Sequence, residues 1–298
     1  MLVFVTGATG FIGSAVVQEL LKAGHQVRGM ARSEAGAQSL LAAGAEVRRG
    51  DVTDLDSLRS GVAGVDAAIH TAFIHDFSKF KENCEIDRKA IGALGDALAG
   101  SNKILIVTSG TGMSSAAPGV PAVESDPPVS SEIVPRGASE EAAAAVAARG
   151  VRVITMRLPQ VHDTVKQGLV TYSIYVAREK GVSAYIGEGR NRWPAAHYLD
   201  VARLYRLALE KGEGNVRYHA VAEEGVSTRE IAEAIGRGLK IPVVSIAPEE
   251  AAGHFGWLGA FAAWDIPASG KQTQEELGWK PTGPGLIADL DNMRFFEA

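Results

Sequence analysis

The chain has 298 residues, 46% hydrophobic and 22% charged, with 30 basic against 35 acidic side chains and a formal charge of −5. That supplies apolar material for one large domain, or a domain with a smaller appendage, and leaves no basic tract for nucleic acid and no apolar run long enough to span a bilayer. The single cysteine, Cys84, excludes an internal disulfide and has no partners for a structural zinc, so a reducing, cytoplasmic setting is expected.

The short apolar stretch 2–6 runs directly into glycines, which reads as a strand and not as a signal peptide. A helix follows over 11–23, ended by Gly24, then a strand over 25–31, a helix over 34–43 and a strand over 45–49. Next come a helix at 54–61, a strand at 66–70, a long helix from about 82 to 99 and a strong strand at 103–108. This alternation predicts a parallel sheet with right-handed crossovers and helices on both faces.

A Ser-, Gly- and Pro-rich stretch over 109–131 breaks the rhythm, and loops of that length are usually functional. A helix resumes at Glu132 or Ser139 and continues to Arg149, and a sixth strand is expected at 151–157. Beyond Pro159 the expected elements are a helix at 168–180, a Gly-rich loop at 187–190, a helix at 198–211, a strand at 216–221, a helix at 228–239, a strand at 243–246 and terminal helices. The fold class is therefore α/β, a Rossmann-type doubly wound parallel sheet with a smaller C-terminal α/β subdomain. The dinucleotide domain is expected at 1–160, with a contribution from about 195–225, and the substrate-binding part mainly at 161–298.

The first turn carries the clearest chemistry. Thr6-Gly7-Ala8-Thr9-Gly10-Phe11-Ile12-Gly13 leaves a strand and opens a helix. In that context Gly7 permits the tight turn, Gly10 admits a pyrophosphate and Gly13 lets the helix approach the sheet. The phosphates then meet free amides at the helix N-terminus. An acidic residue about 20 positions on would select NAD(H), but that region reads Arg28-Gly29-Met30-Ala31-Arg32-Ser33. Arg32 and Ser33 suit a 2′-phosphate, so NADP(H) is expected over NAD(H). Asp51 and Val52 suit the adenine edge, and Thr71, Ala72 and Phe73 a strand end that passes under the cofactor.

Together with Gly50-Asp51-Val52, Val107-Thr108-Ser109-Gly110, Arg157-Leu158-Pro159-Gln160-Val161-His162, His197-Tyr198-Leu199-Asp200-Val201-Ala202 and Leu277-Gly278-Trp279-Lys280-Pro281, this turn resembles the extended short-chain dehydrogenase/reductase superfamily, of the NAD-dependent epimerase/dehydratase type. The resemblance implies hydride transfer assisted by a Ser/Thr, a Tyr and a Lys, with the tyrosine and lysine one helical turn apart. It also implies that Pro159 and Val161 border the nicotinamide. Yet residues 104–165 contain neither tyrosine nor lysine. Arg136 takes the tyrosine slot and Glu140 the lysine slot. They read either as an electrophilic donor and an acid/base or as an i,i+4 ion pair on the helix surface. Ser109 and Thr111 can bind a substrate carbonyl or bond their own turn, and His162 can titrate near neutrality.

Tyr172, with Tyr175 and Tyr185, lies in the segment expected to cover the pocket, and Asn191, Arg192 and Trp193 in a loop expected to border substrate. His197 and Asp200 read as structural. Phe255, Trp257, Phe261 and Trp264 form an aromatic cluster suited to packing, or to shaping a pocket for an apolar substrate. No histidine spacing marks a metal site. The resulting expectation is an NADP(H)-dependent oxidoreductase acting on a small apolar ketone or alcohol with a non-standard proton donor. The alternatives are a redox-neutral isomerase, lyase or epimerase-like enzyme that keeps the dinucleotide as scaffold, and a nucleotide-sensing protein. A homodimer through the helices at 82–99 and 132–149 is the family expectation.

Overall fold

In a computed structural model, which describes residues 1–294, the chain begins with β1 (Leu2–Thr6), α1 (Phe11–Lys22), β2 (Gln26–Ala31), α2 (Glu34–Ala43), β3 (Glu46–Arg49), α3 (Leu55–Gly61) and β4 (Ala67–His70). It continues through α4 (Phe80–Leu98), β5 (Ile104–Gly110), α5 (Ala138–Ala147), β6 (Arg152–Leu158), β7 (Gln160–His162), α6 (Val170–Lys180), β8 (Ser183–Ile186) and β9 (Arg192–His197). Then come α7 (Tyr198–Lys211), β10 (Val216–His219), β11 (Glu223–Ser227), α8 (Thr228–Leu239), β12 (Val243–Ile246), α9 (Ala251–Phe255), α10 (Gly259–Ala262), α11 (Lys271–Leu277) and α12 (Leu286–Asp291).

Seven strands form one sheet in the order β10-β6-β5-β4-β1-β2-β3, and every neighbouring pair in it is parallel. Val3, Phe4, Val5, Ile69, Leu105 and Ile106 are fully buried, because helices cover both faces and leave no polar side to the strands. Val16 and Leu20 of α1 and Leu204 and Tyr205 of α7 fill one face. Leu58 of α3, Ile91 and Leu94 of α4 and Val146 of α5 fill the other. Strand order reverses between β1 and β4, and ligands of such sheets bind outside the strand ends at that switch.

Three strands in the order β11-β9-β7 and two in the order β12-β8 form smaller sheets. Of these five, only β12 was expected. β9 reads Arg-Trp-Pro-Ala-Ala-His and shows no strand alternation. Its pairing with β11 and β7 makes it a strand. The helix expected from Glu132 or Ser139 starts at Ala138 after a 3₁₀ turn at Pro135–Gly137. A second such turn, Phe77–Lys79, precedes α4, with the Asp76 carboxylate accepting from Ser78 N. Among the described residues no helix is long and apolar enough to cross a membrane.

Candidate active site

The turn after β1 forms the cradle that the glycines require. Gly7 has φ 65°, and a Cβ there would lie 2.7 Å from Ala72 N. A Cβ on Gly13 would lie 2.0 Å from Gly7 O. Gly10 donates to Gly7 O at 2.8 Å, while a Cβ on it would meet only that same oxygen, at 3.2 Å. The turn is thus closed beneath and open above, and no side chain caps the first amides of α1. A pyrophosphate fits that donor set. Thr9 and Gly10 are exposed, while Phe11 and Ile12 are half-buried. The Phe11 ring stacks on Tyr198 at 5.3 Å.

Thr6 lies beneath this turn. Its hydroxyl lies 2.7 Å from His70 Nδ1, and the other imidazole nitrogen donates to Asp87 Oδ1 at 2.9 Å. Thr71 donates its hydroxyl to Thr6 O at 2.7 Å. Thr6 and Thr71 therefore shape the cradle, and the path leads onward to Asp87 of α4.

Asp87 is the partner of Arg136. Arg136 Nη1 donates to Asp87 Oδ2 at 2.6 Å and Nη2 to Thr108 O at 3.1 Å. Ser139 also donates to Asp87, at 2.5 Å. Burial alone would raise the Asp87 carboxyl, but the Arg136 cation and the hydrogen bonds from His70 and Ser139 outweigh it and hold the group well below the usual carboxylate range. The Arg136 guanidinium rests over the Phe73 ring, 4.1 Å from its centroid, a cation–π contact.

Glu140 is occupied separately. Its two oxygens accept from Nε and Nη2 of Arg157, each at 2.8 Å, and Oε1 also accepts the Ser109 hydroxyl at 2.8 Å. Arg157 is fully buried and also donates to Ser114 Oγ and Asp126 O. This network pins the 114–126 loop. The expected i,i+4 pair between Arg136 and Glu140 is absent, because Arg136 sits in the 3₁₀ turn ahead of α5 and each side chain has a closer partner on another element. Thr111 is buried, its hydroxyl 3.4 Å from Leu158 O.

His162 is fully buried, with Nδ1 2.7 Å from Asp289 Oδ2. Burial lowers its pKa, outweighing the opposing pull of Asp289. It anchors α12. Val161 is buried in the core behind it, and Pro159 is half-buried. Asn191 donates to Ala262 O and Trp264 O, Trp193 to Trp264 O, and Arg192 to both oxygens of Asp265. These three hold the 262–265 stretch in place. Tyr172 stands edge-on to Phe77 at 5.6 Å and to Trp257 at 5.0 Å.

Sequence reasoning missed His75. Its ring lies 5.3 Å from Phe73 and 6.3 Å from Phe77, on the strip that starts where Thr71 and Ala72 leave the cradle. The residue is exposed. The neighbouring protein bulk around the ring, and then the Arg136 charge, lower its pKa below the usual imidazole value. The only signal was its place five residues beyond His70, after the fourth strand.

At the far end of the cradle, Ser33 Oγ accepts from Gly36 N and caps α2. Arg32 lies 3.6 Å from Asp51, whose carboxylate also accepts from Thr53 N and Oγ1. Burial pushes the Asp51 carboxyl up, but the Thr53 hydrogen bonds and the Arg32 charge prevail and keep it ionised. Val52 is buried. Arg32 is mostly exposed and only loosely paired, and the carboxylate beside it opposes a 2′-phosphate. Among the described residues no group of three or more His, Cys, Asp or Glu is placed to hold a metal ion.

The family model "NAD dependent epimerase/dehydratase family" matches residues 3–221. An uncharacterized protein of Schizosaccharomyces pombe is 47% identical over 99% of this chain and 100% of its own. UDP-glucose 4-epimerase of Streptomyces lividans is 30% identical over 96% of this chain and 93% of its own. The dTDP-glucose 4,6-dehydratase DesIV of Streptomyces venezuelae, solved with NAD bound, superposes with a TM-score of 0.79 at 20% identity, covering 100% of this chain and 97% of its own. Two expectations are corrected by these findings. The dinucleotide of the solved relative is NAD, not NADP(H), in line with the pairing of Arg32 to Asp51. The two similar proteins just named by activity are a sugar-nucleotide epimerase and a sugar-nucleotide dehydratase, which displaces the NADP(H)-dependent ketone or alcohol oxidoreductase in favour of the redox-neutral alternative.

Proposed function

The chain belongs to the NAD-dependent epimerase/dehydratase family and is an enzyme; from that premise we propose that it catalyses a redox-neutral isomerisation or elimination at a carbon beside a carbonyl, with NAD kept in the glycine cradle. The observation that carries this reading is the placement of Arg136 and His75 on one ring, Phe73, at 4.1 Å and 5.3 Å.

A guanidinium does not release its proton at neutral pH, so Arg136 cannot take over the tyrosine's task of moving a proton. It can hold an oxygen that gains negative charge, which is the larger part of enolate chemistry. His75, kept neutral by its lowered pKa, is a base at pH 7. In the proposed reaction it takes the proton from the carbon beside the carbonyl while Arg136 faces the carbonyl oxygen. Protonation of the enolate from solvent on the opposite face gives the epimer, and His75 passes its proton to water. If hydroxide instead leaves the next carbon, the proton joins it as water and an enone remains. Both outcomes balance without net oxidation.

The amides of Gly10, Phe11 and Ile12 would hold the pyrophosphate, and Asp51 would face the adenine edge. When bound, NAD supplies a positively charged nicotinamide, which favours developing anionic charge.

The test is incubation with NAD in deuterated water, using a 4-keto sugar nucleotide and a panel of hydroxyketones, with UDP-glucose, whose sugar has no carbonyl, as the control. Deuterium at the carbon beside the carbonyl, with no net absorbance change at about 340 nm from the nicotinamide, is the expected result. Replacing His75 by Ala should cut exchange by about 10²–10⁴. Stoichiometric formation or loss of NADH, with an oxidised or reduced product, overturns the proposal.

A further inference from the structure

UDP-glucose and dTDP-glucose, named for two of the relatives, each carry a diphosphate. A diphosphate brings several negative charges, and a protein meets them with an unpaired arginine or lysine, or with a free helix N-terminus. The place to look is the end of β5, where the 261–266 stretch crosses. A Cβ on Gly112, just past β5, would lie 3.4 Å from Ile266 Cδ1 and 3.9 Å from Trp264 Cζ3. Phe261 lies 6.1 Å from Phe80, and Phe80 lies 6.4 Å from Phe73, the ring beneath Arg136.

Arg136, Arg157 and Arg192 stand around this end of the sheet, and each is neutralised. Arg136 is held by Asp87 and Arg157 by Glu140. Arg192 meets Asp265 as a fork, with Nε donating to Oδ1 at 3.0 Å and Nη2 to Oδ2 at 2.8 Å. Its backbone N also donates to Oδ1 at 2.7 Å, and Nη2 donates to Gly119 O at 3.0 Å. The Arg192 hydrogen bond holds the Asp265 carboxyl below its usual pKa, so it stays ionised at neutral pH. The nearby N-terminus of α8 is closed by the capping box of Ser227 and Glu230. As an anchor, the Arg192–Asp265 pair is redundant. Asn191 and Trp193 already fasten Ala262 O and Trp264 O, and Ile266 N donates to Arg192 O at 2.9 Å.

We propose that the substrate is an uncharged carbonyl compound without a phosphate, and that Asp265 sets this specificity by filling the fork of Arg192. A phosphate arriving there finds the guanidinium edge taken and a carboxylate beside it, which repels a second anion. The other neighbours, Phe80, Phe261, Trp264 and Ile266, return none of the hydration that an anion gives up, whereas a neutral molecule meets no such penalty. This substrate class rests on the reading of Arg136 as the group that faces the carbonyl oxygen, but anion binding is measurable without turnover.

The probe is UDP, titrated by calorimetry into protein saturated with NAD so that the cradle is filled. The parent should show no saturation below about 1 mM. Asp265→Asn, which keeps the shape and removes the charge, should bind UDP at least about tenfold more tightly, the scale of a hydrogen bond to a charged group. Adding Arg192→Met to that variant should erase the gain, and circular dichroism confirms that each variant is folded. In deuterated water the neutral hydroxyketones should exchange and the 4-keto sugar nucleotide should not. Saturable UDP binding by the parent, exchange into the sugar nucleotide, or a folded Asp265→Asn without the gain overturns the proposal, and the two parent measurements decide it even if the variants do not fold. Absence of exchange from every ketone, with the UDP results as expected, supports the role of Asp265 and overturns only the reaction assigned to Arg136 and His75.

Discussion

Arg136 and Asp87, 49 positions apart in sequence, close on each other at 2.6 Å, and Asp87 is in turn tied through His70 to Thr6 beneath the dinucleotide cradle. The residue in the tyrosine slot is therefore fastened to the cofactor turn by buried hydrogen bonds, and its place over Phe73 is fixed from below.

Asp87→Asn removes the countercharge of a largely buried guanidinium. Breaking one partner of such a pair leaves the other uncompensated, at a cost of about 3 kcal/mol. Urea unfolding should show that loss, and the variant that still folds should lose deuterium exchange, because Arg136 is no longer held over Phe73. Unchanged stability and exchange would mean that the pair holds nothing in place.

Glu140→Gln strands Arg157, which is fully buried, and should cost about 3–5 kcal/mol for the same reason. The loop at 114–126 should then become sensitive to proteolysis, since Arg157 binds Ser114 and Asp126 from the far side of that ion pair. Exchange per folded molecule should stay near the parent value. A large fall in turnover with intact stability would return Glu140 to the role of an acid or base.

Gly10→Val places a side chain where only Gly7 O is near. The fold should survive and NAD binding, followed by calorimetry, should disappear. Gly13→Ala should instead destabilise the protein, because its Cβ would lie 2.0 Å from backbone oxygen. In the parent, NAD should bind more tightly than NADP, with little change in Arg32→Ala.

His219 fixes the acid side of the stability profile. Burial and the Arg157 charge lower its pKa from 6.5 to about 4, against the opposing pull of its bond to Ser269 and of Asp126, with Arg217 adding to the lowering. The unfolded chain thus binds a proton first as the pH falls. The stabilisation is complete above about 6.5 and drains away toward about 4, by up to about 3 kcal/mol. His162, lowered in the same direction, adds to the loss. Guanidinium unfolding at pH 7.5 and pH 5 should show the fall, and His219→Gln should flatten it. A profile that rises on acidification contradicts the assignment.

Local patterns carried the fold. The alternation of strands and helices through β6, the boundaries of α7, α8 and β12, and the glycine turn were legible because backbone propensity, side-chain period and left-handed glycines act over a few neighbouring residues. β7, β8, β9 and β11 were not legible, since Pro194 and small residues in β9 give no alternation and its strand character comes from partners elsewhere in the chain. The cofactor preference was misjudged for a related reason. Arg32 looks free in sequence, and only the approach of β2 to the end of β3 brings Asp51 to it.

The sequence by itself determined the doubly wound sheet, the phosphate cradle and the loss of the tyrosine and lysine, all of which are statements about adjacent residues. Only the tertiary structure decided what the replacements do. Charge pairing has no regard for sequence distance, so Arg136 chose Asp87 on α4 and Glu140 chose Arg157 on β6. The same folding set Phe77 against Trp257 and left His75 at the edge of the wall they begin.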